Sequence, residues 1–150
     1  MDLDHERDPS RVELGEFYSQ SPADVWRALT DSALLERWFL PSIGFDGAQV
    51  GTEFMLLIPA DSGAQIACEV VAVKPERSMT WSWTYMRDPG RARWSVDWEV
   101  EPQGRGTRLL ITISGFDIED KKQRMQRNAT ARGWRDIPSK LGKLLDELES

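Results

Sequence analysis

Two stretches of this chain alternate with a period of two, and each sets its bulky rings on one parity only. In RSMTWSWTYM, residues 77 to 86, Met79, Trp81, Trp83 and Tyr85 share one parity, while Ser78, Thr80, Ser82 and Thr84 share the other. RARWSVDWEVEP, residues 91 to 102, repeats the device: Trp94, Val96, Trp98 and Val100 face one way, and Arg93, Ser95, Asp97 and Glu99 the other. Alternation this clean specifies strands of a sheet with one dry and one wet face. The linkers Asp88-Pro89-Gly90 and Pro102-Gln103-Gly104 carry turn chemistry. Links this short between consecutive strands favour an antiparallel meander.

The rest of the chain supplies elements that can cover the dry face. Over residues 11 to 20, Val12, Leu14 and Tyr18 alternate with polar positions and Phe17 takes the other parity, which predicts a half-buried strand. Ser21 can cap a helix, Pro22 suits its first position, and Asp24 places a carboxylate in the first turn. That helix is expected to run to about Thr30, with Val25, Trp26 and Leu29 inward. Asp31 can cap a second short helix carrying Leu34, Leu35 and Trp38, and Pro41 ends it. Further strands are expected over the apolar run Phe54 to Ile58, over residues 65 to 75 and over residues 107 to 116. The segment from 118 to 149 reads as helical, polar at first. Trp134, Ile137, Leu141, Leu144 and Leu148 then form one apolar stripe. Pro138 is costly inside a helix, so a kink or break is expected between Gly133 and Pro138. Gly133 reads as allowing helix and sheet to approach closely.

Residues 1 to 10 read as a flexible tail and 11 to 150 as a single domain, as the length of 150 residues implies. The fold class is α+β: a curved antiparallel sheet of about six or seven strands wrapped on a long C-terminal helix, with two short helices after the first strand. The 25 acidic residues outnumber the 19 basic ones, for a net charge of −6. Such a chain has no global field for nucleic acid or anionic lipid. No apolar run reaches the ~20 residues of a membrane span, and the polar N-terminus is not a targeting segment. The single cysteine, Cys68, precludes an internal disulfide and fits a cytoplasmic location. The single histidine, His5, lies in the tail, so neither a histidine triad nor a multi-histidine metal site is expected within the fold. No metal or cofactor is expected. The basic run KKQRMQR, residues 121 to 127, reads as a solvated helix face.

At this point the segment SPADVWRALTDSALLERWFLP resembles the opening of the activator of Hsp90 ATPase homolog 1-like (AHSA1-like) family, within the START-like or Bet v 1-like superfamily. The matching pieces are the Ser-Pro opening, Val25-Trp26 with Ala28-Leu29-Thr30, and Trp38-Phe39-Leu40-Pro41. Gly51-Thr52-Glu53-Phe54, Ser114-Gly115-Phe116 and Gly133-Trp134 with its spaced leucines extend the likeness over about residues 11 to 148. The resemblance implies the helix-grip fold and a cavity between the sheet and the terminal helix. Many relatives carry a histidine at the position that is Ile113 here, which makes this cavity more apolar and argues against histidine-dependent catalysis.

The candidate pocket residues follow from the indole-rich dry face. Trp81, Trp83, Tyr85, Trp94 and Trp98 converge on neighbouring strands, with Trp134 and Ile137 opposite on the terminal helix and Ile113 on the last strand. Trp38, Phe39 and Met55 are expected to complete the wall, and Met86 is a further gap filler. Each buried indole N–H wants an acceptor, and an unpaired one costs about 1–3 kcal/mol, which favours a hollow over a closed core. Tyr85 and Arg108 are candidate polar anchors. No catalytic residue is assigned, because the dry parity holds no carboxylate; the facing of Glu53 and Glu69 is left open. The expected function is binding of a small apolar molecule, aromatic or lipid-like. The alternatives are a cyclase- or aromatase-type enzyme using the same cavity and a co-chaperone-like interaction module. Hsp90 itself is disfavoured, since the family's co-chaperone contacts it through a separate N-terminal domain. A monomer or weak homodimer is expected.

Overall fold

A computed structural model describes residues 10–45, 47, 49–58, 64–85 and 94–149, without the side chains of residues 64, 65 and 85. The tail apart from Ser10, the Asp88-Pro89-Gly90 link and Met86 lie outside the described residues. The elements run β1 (Val12–Tyr18), α1 (Pro22–Thr30), α2 (Ser32–Trp38), β2 (Ser42–Ile43), β3 (Glu53–Ile58), β4 (Ala64–Lys74), β5 (Ser78–Tyr85), β6 (Trp94–Gln103), β7 (Gly106–Ser114), α3 (Lys121–Trp134) and α4 (Ile137–Glu149). The seven strands form one antiparallel sheet in the order β1-β7-β6-β5-β4-β3-β2. The first strand therefore pairs with the last, and the rest follow as a meander. The sheet curls around the terminal helices in the helix-grip arrangement. Among the described residues no helix is long and apolar enough to cross a membrane.

Local chemistry sets the helix ends. Ser21 Oγ accepts from Asp24 N at 3.2 Å, with Pro22 in the first helical position of α1. Asp31 serves both short helices. Its N–H donates to Arg27 O at 2.9 Å to close α1, and its carboxylate accepts from Ala33 N and Leu34 N at 2.9 and 3.3 Å to open α2. The terminal segment breaks after Trp134, as the proline requires. Pro138 falls in the first turn of α4, where a missing N–H costs no helical bond. The β6–β7 turn sits further along than the Pro102-Gln103-Gly104 reading: Pro102 and Gln103 still pair, with Thr107 and Gly106. Gly104 takes φ +60°, the left-handed region that a tight hairpin turn needs and glycine enters freely.

The predicted parity holds on β5 and β6. Met79, Trp81, Trp83, Trp94, Val96, Trp98 and Val100 are buried, and Glu99 is exposed on the outer face. The closed core lies where α1, α2 and α4 cover the concave face. Trp81 and Trp98 are fully buried there, with ring centroids 5.1 Å apart. Trp38 meets Trp98 edge-on at 6.0 Å and donates its indole N–H to Ala28 O at 2.9 Å. The Trp81 and Trp98 indole N–H groups find no acceptor among the described residues. Burial still wins: at ~25 cal/mol per Å², an indole hiding ~200 Å² gains ~5 kcal/mol, more than the ~1–3 kcal/mol cost of the lone donor.

A buried polar seam ties the beginning of the domain to its end. Tyr18 Oη donates to Pro138 O at 2.7 Å, Thr107 Oγ1 donates to Gln20 O at 2.8 Å, and Gln20 Nε2 donates to Asp146 Oδ1 at 2.9 Å. Burial, with Glu16 adding to it, raises the Tyr18 phenol above its ordinary 10.0. Burial alone raises the Cys68 thiol above its ordinary 9.0. Both groups are therefore held neutral in the native state, and what they contribute to stability is complete below the unfolded values and lost as pH rises past them.

Two measurements test this reading. Trp98→Ala should lower unfolding free energy by about 3–5 kcal/mol, seen as a lower urea midpoint at unchanged slope; a loss within the range of surface substitutions would remove Trp98 from the centre of the core. The wild-type urea midpoint should fall once pH passes 9.0, where Cys68 begins to titrate in the unfolded chain, and fall further past 10.0 as Tyr18 joins it. The double variant Tyr18→Phe, Cys68→Ala should flatten part of that fall, and an identical fall would assign it to other groups.

Candidate ligand-binding site

Beyond the closed core, the end of the sheet nearest the α3–α4 junction stands away from the helices. A hollow of about 420 Å³ lies there. Four strand ends form its floor: Ile58 closes β3, Ile66 opens β4, Trp83 nears the end of β5 and Trp94 begins β6. Register brings them together, since Trp83 pairs with Trp94 on one side and with Cys68 on the other. Phe39 and Leu40, just past α2, form one wall. The helices roof it with Gln126, Ala129, Thr130, Gly133 and Trp134 from α3 and with Ile137 and Lys140 from α4.

Aromatic contacts fix the walls. Phe39 lies 5.2 Å from Trp134 and 6.3 Å from Trp83, and also 6.1 Å from Trp98, so it stands between the hollow and the closed core. Trp83 and Trp134 approach to 5.6 Å, and Trp94 is backed by Phe116 at 4.7 Å. The polar groups sit on the helix side. Thr130 spends its hydroxyl on Gln126 O at 2.8 Å. Gln126 Oε1 is buried and finds no donor among the described residues. Lys140 is exposed at the mouth, and no Asp or Glu is among the described residues that line the hollow.

The sequence-predicted pocket residues divide by depth and by face. Phe39, Trp83, Trp94, Trp134 and Ile137 meet at the hollow. Trp38, Trp81, Trp98 and Ile113 point to the same side but are buried in the closed core behind it. The reason is distance along the strand: parity selects a face, whereas the helices decide which part of that face is covered. Met55 belongs to the opposite face. Phe54 and Leu56 are its buried neighbours, and Met55 lies in an outer groove with Glu53, Ala67, Glu69, Ser82 and Thr84. An unbroken apolar run such as Phe54 to Ile58 gives no alternation from which to read facing. The same groove settles Glu53 and Glu69 as outward. Arg108 is exposed on the outer face over Gly15, so it is not a pocket anchor. Tyr85 lies on β5, and its side chain is outside the described residues.

The roof of α3 escaped the sequence reading. Gln126, Ala129, Thr130 and Gly133 recur at spacings of three and four, and this row continues through Ile137 and Lys140. Its members are small or polar, so a search for an apolar stripe starts only at Trp134; helical periodicity irrespective of hydropathy would have found the row. Gly133 also has a different part to play from the one expected. A Cβ built on it meets nothing within 4 Å, so it does not serve a close approach to the sheet but leaves the hollow open.

With that geometry in place, comparison with known proteins is informative. The sequence matches the family described as activator of Hsp90 ATPase homolog 1-like protein over residues 19–146. Among solved structures, protein MLL2253 from Mesorhizobium loti is 29% identical and superposes with a TM-score of 0.80, covering 91% of this chain and 97% of its own. CalU16 from Micromonospora echinospora is 23% identical with a TM-score of 0.72, covering 90% of this chain and 75% of its own. DynU16, from the dynemicin biosynthetic locus, is 18% identical with a TM-score of 0.73; the match covers 91% of this chain and 47% of that one. No curated protein matches the chain. The curled seven-stranded sheet gripping its terminal helices is the Bet v 1-like fold, and the chain belongs to the activator of Hsp90 ATPase homolog 1-like family.

Proposed function

We propose that this protein binds a small apolar ligand, with a flat aromatic ring or a lipid-like chain, in the hollow between the sheet end and the α3–α4 junction. The observation that carries the reading is the hollow of about 420 Å³ walled by Trp83, Trp94, Trp134 and Phe39. That volume falls within the ~300–1,000 Å³ of small-molecule sites. Indole walls offer large flat surfaces at little cost in side-chain entropy. Gln126 Oε1 supplies an acceptor that orients a ligand donor, because a buried acceptor left unpaired costs about 1–3 kcal/mol. Gly133 supports the same reading: glycine inside a helix costs about 1 kcal/mol relative to alanine, and no steric demand accounts for it here.

Binding is measured by thermal unfolding and calorimetric titration with a panel of neutral aromatic and acyl compounds. A binder at a hundredfold its Kd should add about 2.7 kcal/mol, a rise of several degrees in melting temperature. Gly133→Leu provides the control for site. Its side chain grows into the hollow, so it should abolish binding while leaving the unliganded protein as stable or more so, by up to ~1 kcal/mol. A panel that produces no shift, or a Gly133→Leu variant that binds as the wild type does, would sink the proposal.

A further inference from the structure

The charge at the mouth narrows the ligand class. Resting on the cavity reading above, we infer that the bound molecule is an aromatic anion, an aryl carboxylate or its equivalent, with its ring among Trp83, Trp94 and Trp134 and its negative group against Lys140. The lining holds one charged side chain among the described residues, and it is this lysine. In a chain of net charge −6, a mouth bearing a cation and, among the described residues, no carboxylate runs against the prevailing sign. Lys140 makes no ion pair among the described residues, including with Asp136 one turn earlier; only its backbone N–H is engaged, donating to Asp136 O at 3.1 Å.

α4 begins at Ile137, and Asp136 immediately before it already sets a carboxylate at the partly positive helix end, so the attraction for an anion at the mouth rests on Lys140. The indoles alone would choose differently, since their faces attract cations. The sign of the preferred ligand therefore tests the lysine apart from the aromatic walls.

The experiment uses three probes of one shape: a naphthalene carboxylate, the corresponding carboxamide and the corresponding methylammonium. Each is titrated calorimetrically into the full chain at low and at high salt. The carboxylate should bind about tenfold more tightly than the carboxamide at low salt, the scale of one charge-assisted contact. The advantage should shrink as salt rises. Lys140→Met keeps the stem and removes the charge; it should bring carboxylate and carboxamide within about twofold of each other, whereas Lys140→Arg should retain the preference. Equal binding of carboxylate and carboxamide, tightest binding of the ammonium, or a preference unchanged in Lys140→Met would overturn the inference and leave the cavity reading standing. Binding of none of the three would overturn both.

Discussion

The tilted contact of Trp81 with Trp98 at the middle of the concave face is the contact on which the rest of the molecule is arranged. Both indoles are fully buried, and their neighbours on adjacent strands, Val70, Met79, Val96 and Ile111, are buried with them. α2 delivers Trp38 edge-on to this pair, and its C-terminal Phe39 extends the aromatic layer to Trp134. The area hidden by these rings outweighs the cost of the Trp81 and Trp98 indole donors, which find no acceptor among the described residues. A core built on wide, rigid rings also fixes how far the helices stand from the sheet.

That separation explains why the fold closes at one end and stays open at the other. Near β1 and β7 the fit is completed by Tyr18, whose hydroxyl meets Pro138 O, and by the Gln20 contacts to the end of α4. α4 buries Ile137, Pro138, Leu141, Leu144 and Leu145. α3 buries only Thr130 and Trp134 among its residues. With small and polar side chains facing the far end of β3 to β6, α3 has too little bulk to fill the space that Trp83 and Trp94 define. The hollow is thus a consequence of pairing large residues on the sheet with small ones on the roof. Its walls are apolar because they continue the core, and its mouth is polar because the solvated face of the helices begins there.

The outer face of the sheet contrasts with this. Thr80 donates to Asp97 at 2.5 Å, and Glu53, Glu69 and Glu99 face outward. Among the described residues that line the hollow, Lys140 is the charged one. The basic run at the start of α3 is occupied in part with local backbone. Arg124 donates to Ile118 O at 2.7 Å, and Arg127 donates to Arg11 O at 3.0 Å, pinning the helix to the start of β1.

Local sequence determined most of the elements and, where residues alternate cleanly, their faces. Alternation on residues 78 to 85 and 94 to 100 fixed which indoles point inward, the Ser21 and Asp31 caps fixed two helices, and Pro138 fixed the break in the terminal one. These features act within a few residues, so the chain states them directly. Tertiary structure decided what local signals do not carry: that Trp81, Trp98, Trp38 and Ile113 fill a closed core while Trp83 and Trp94, on the same parity, border a hollow. It also turned Met55 outward, gave Gly133 open space and brought Lys140 to the mouth. Whether an inward side chain meets another side chain or empty space depends on the bulk of a helix distant in sequence, and that complement exists only once sheet and helix are packed together.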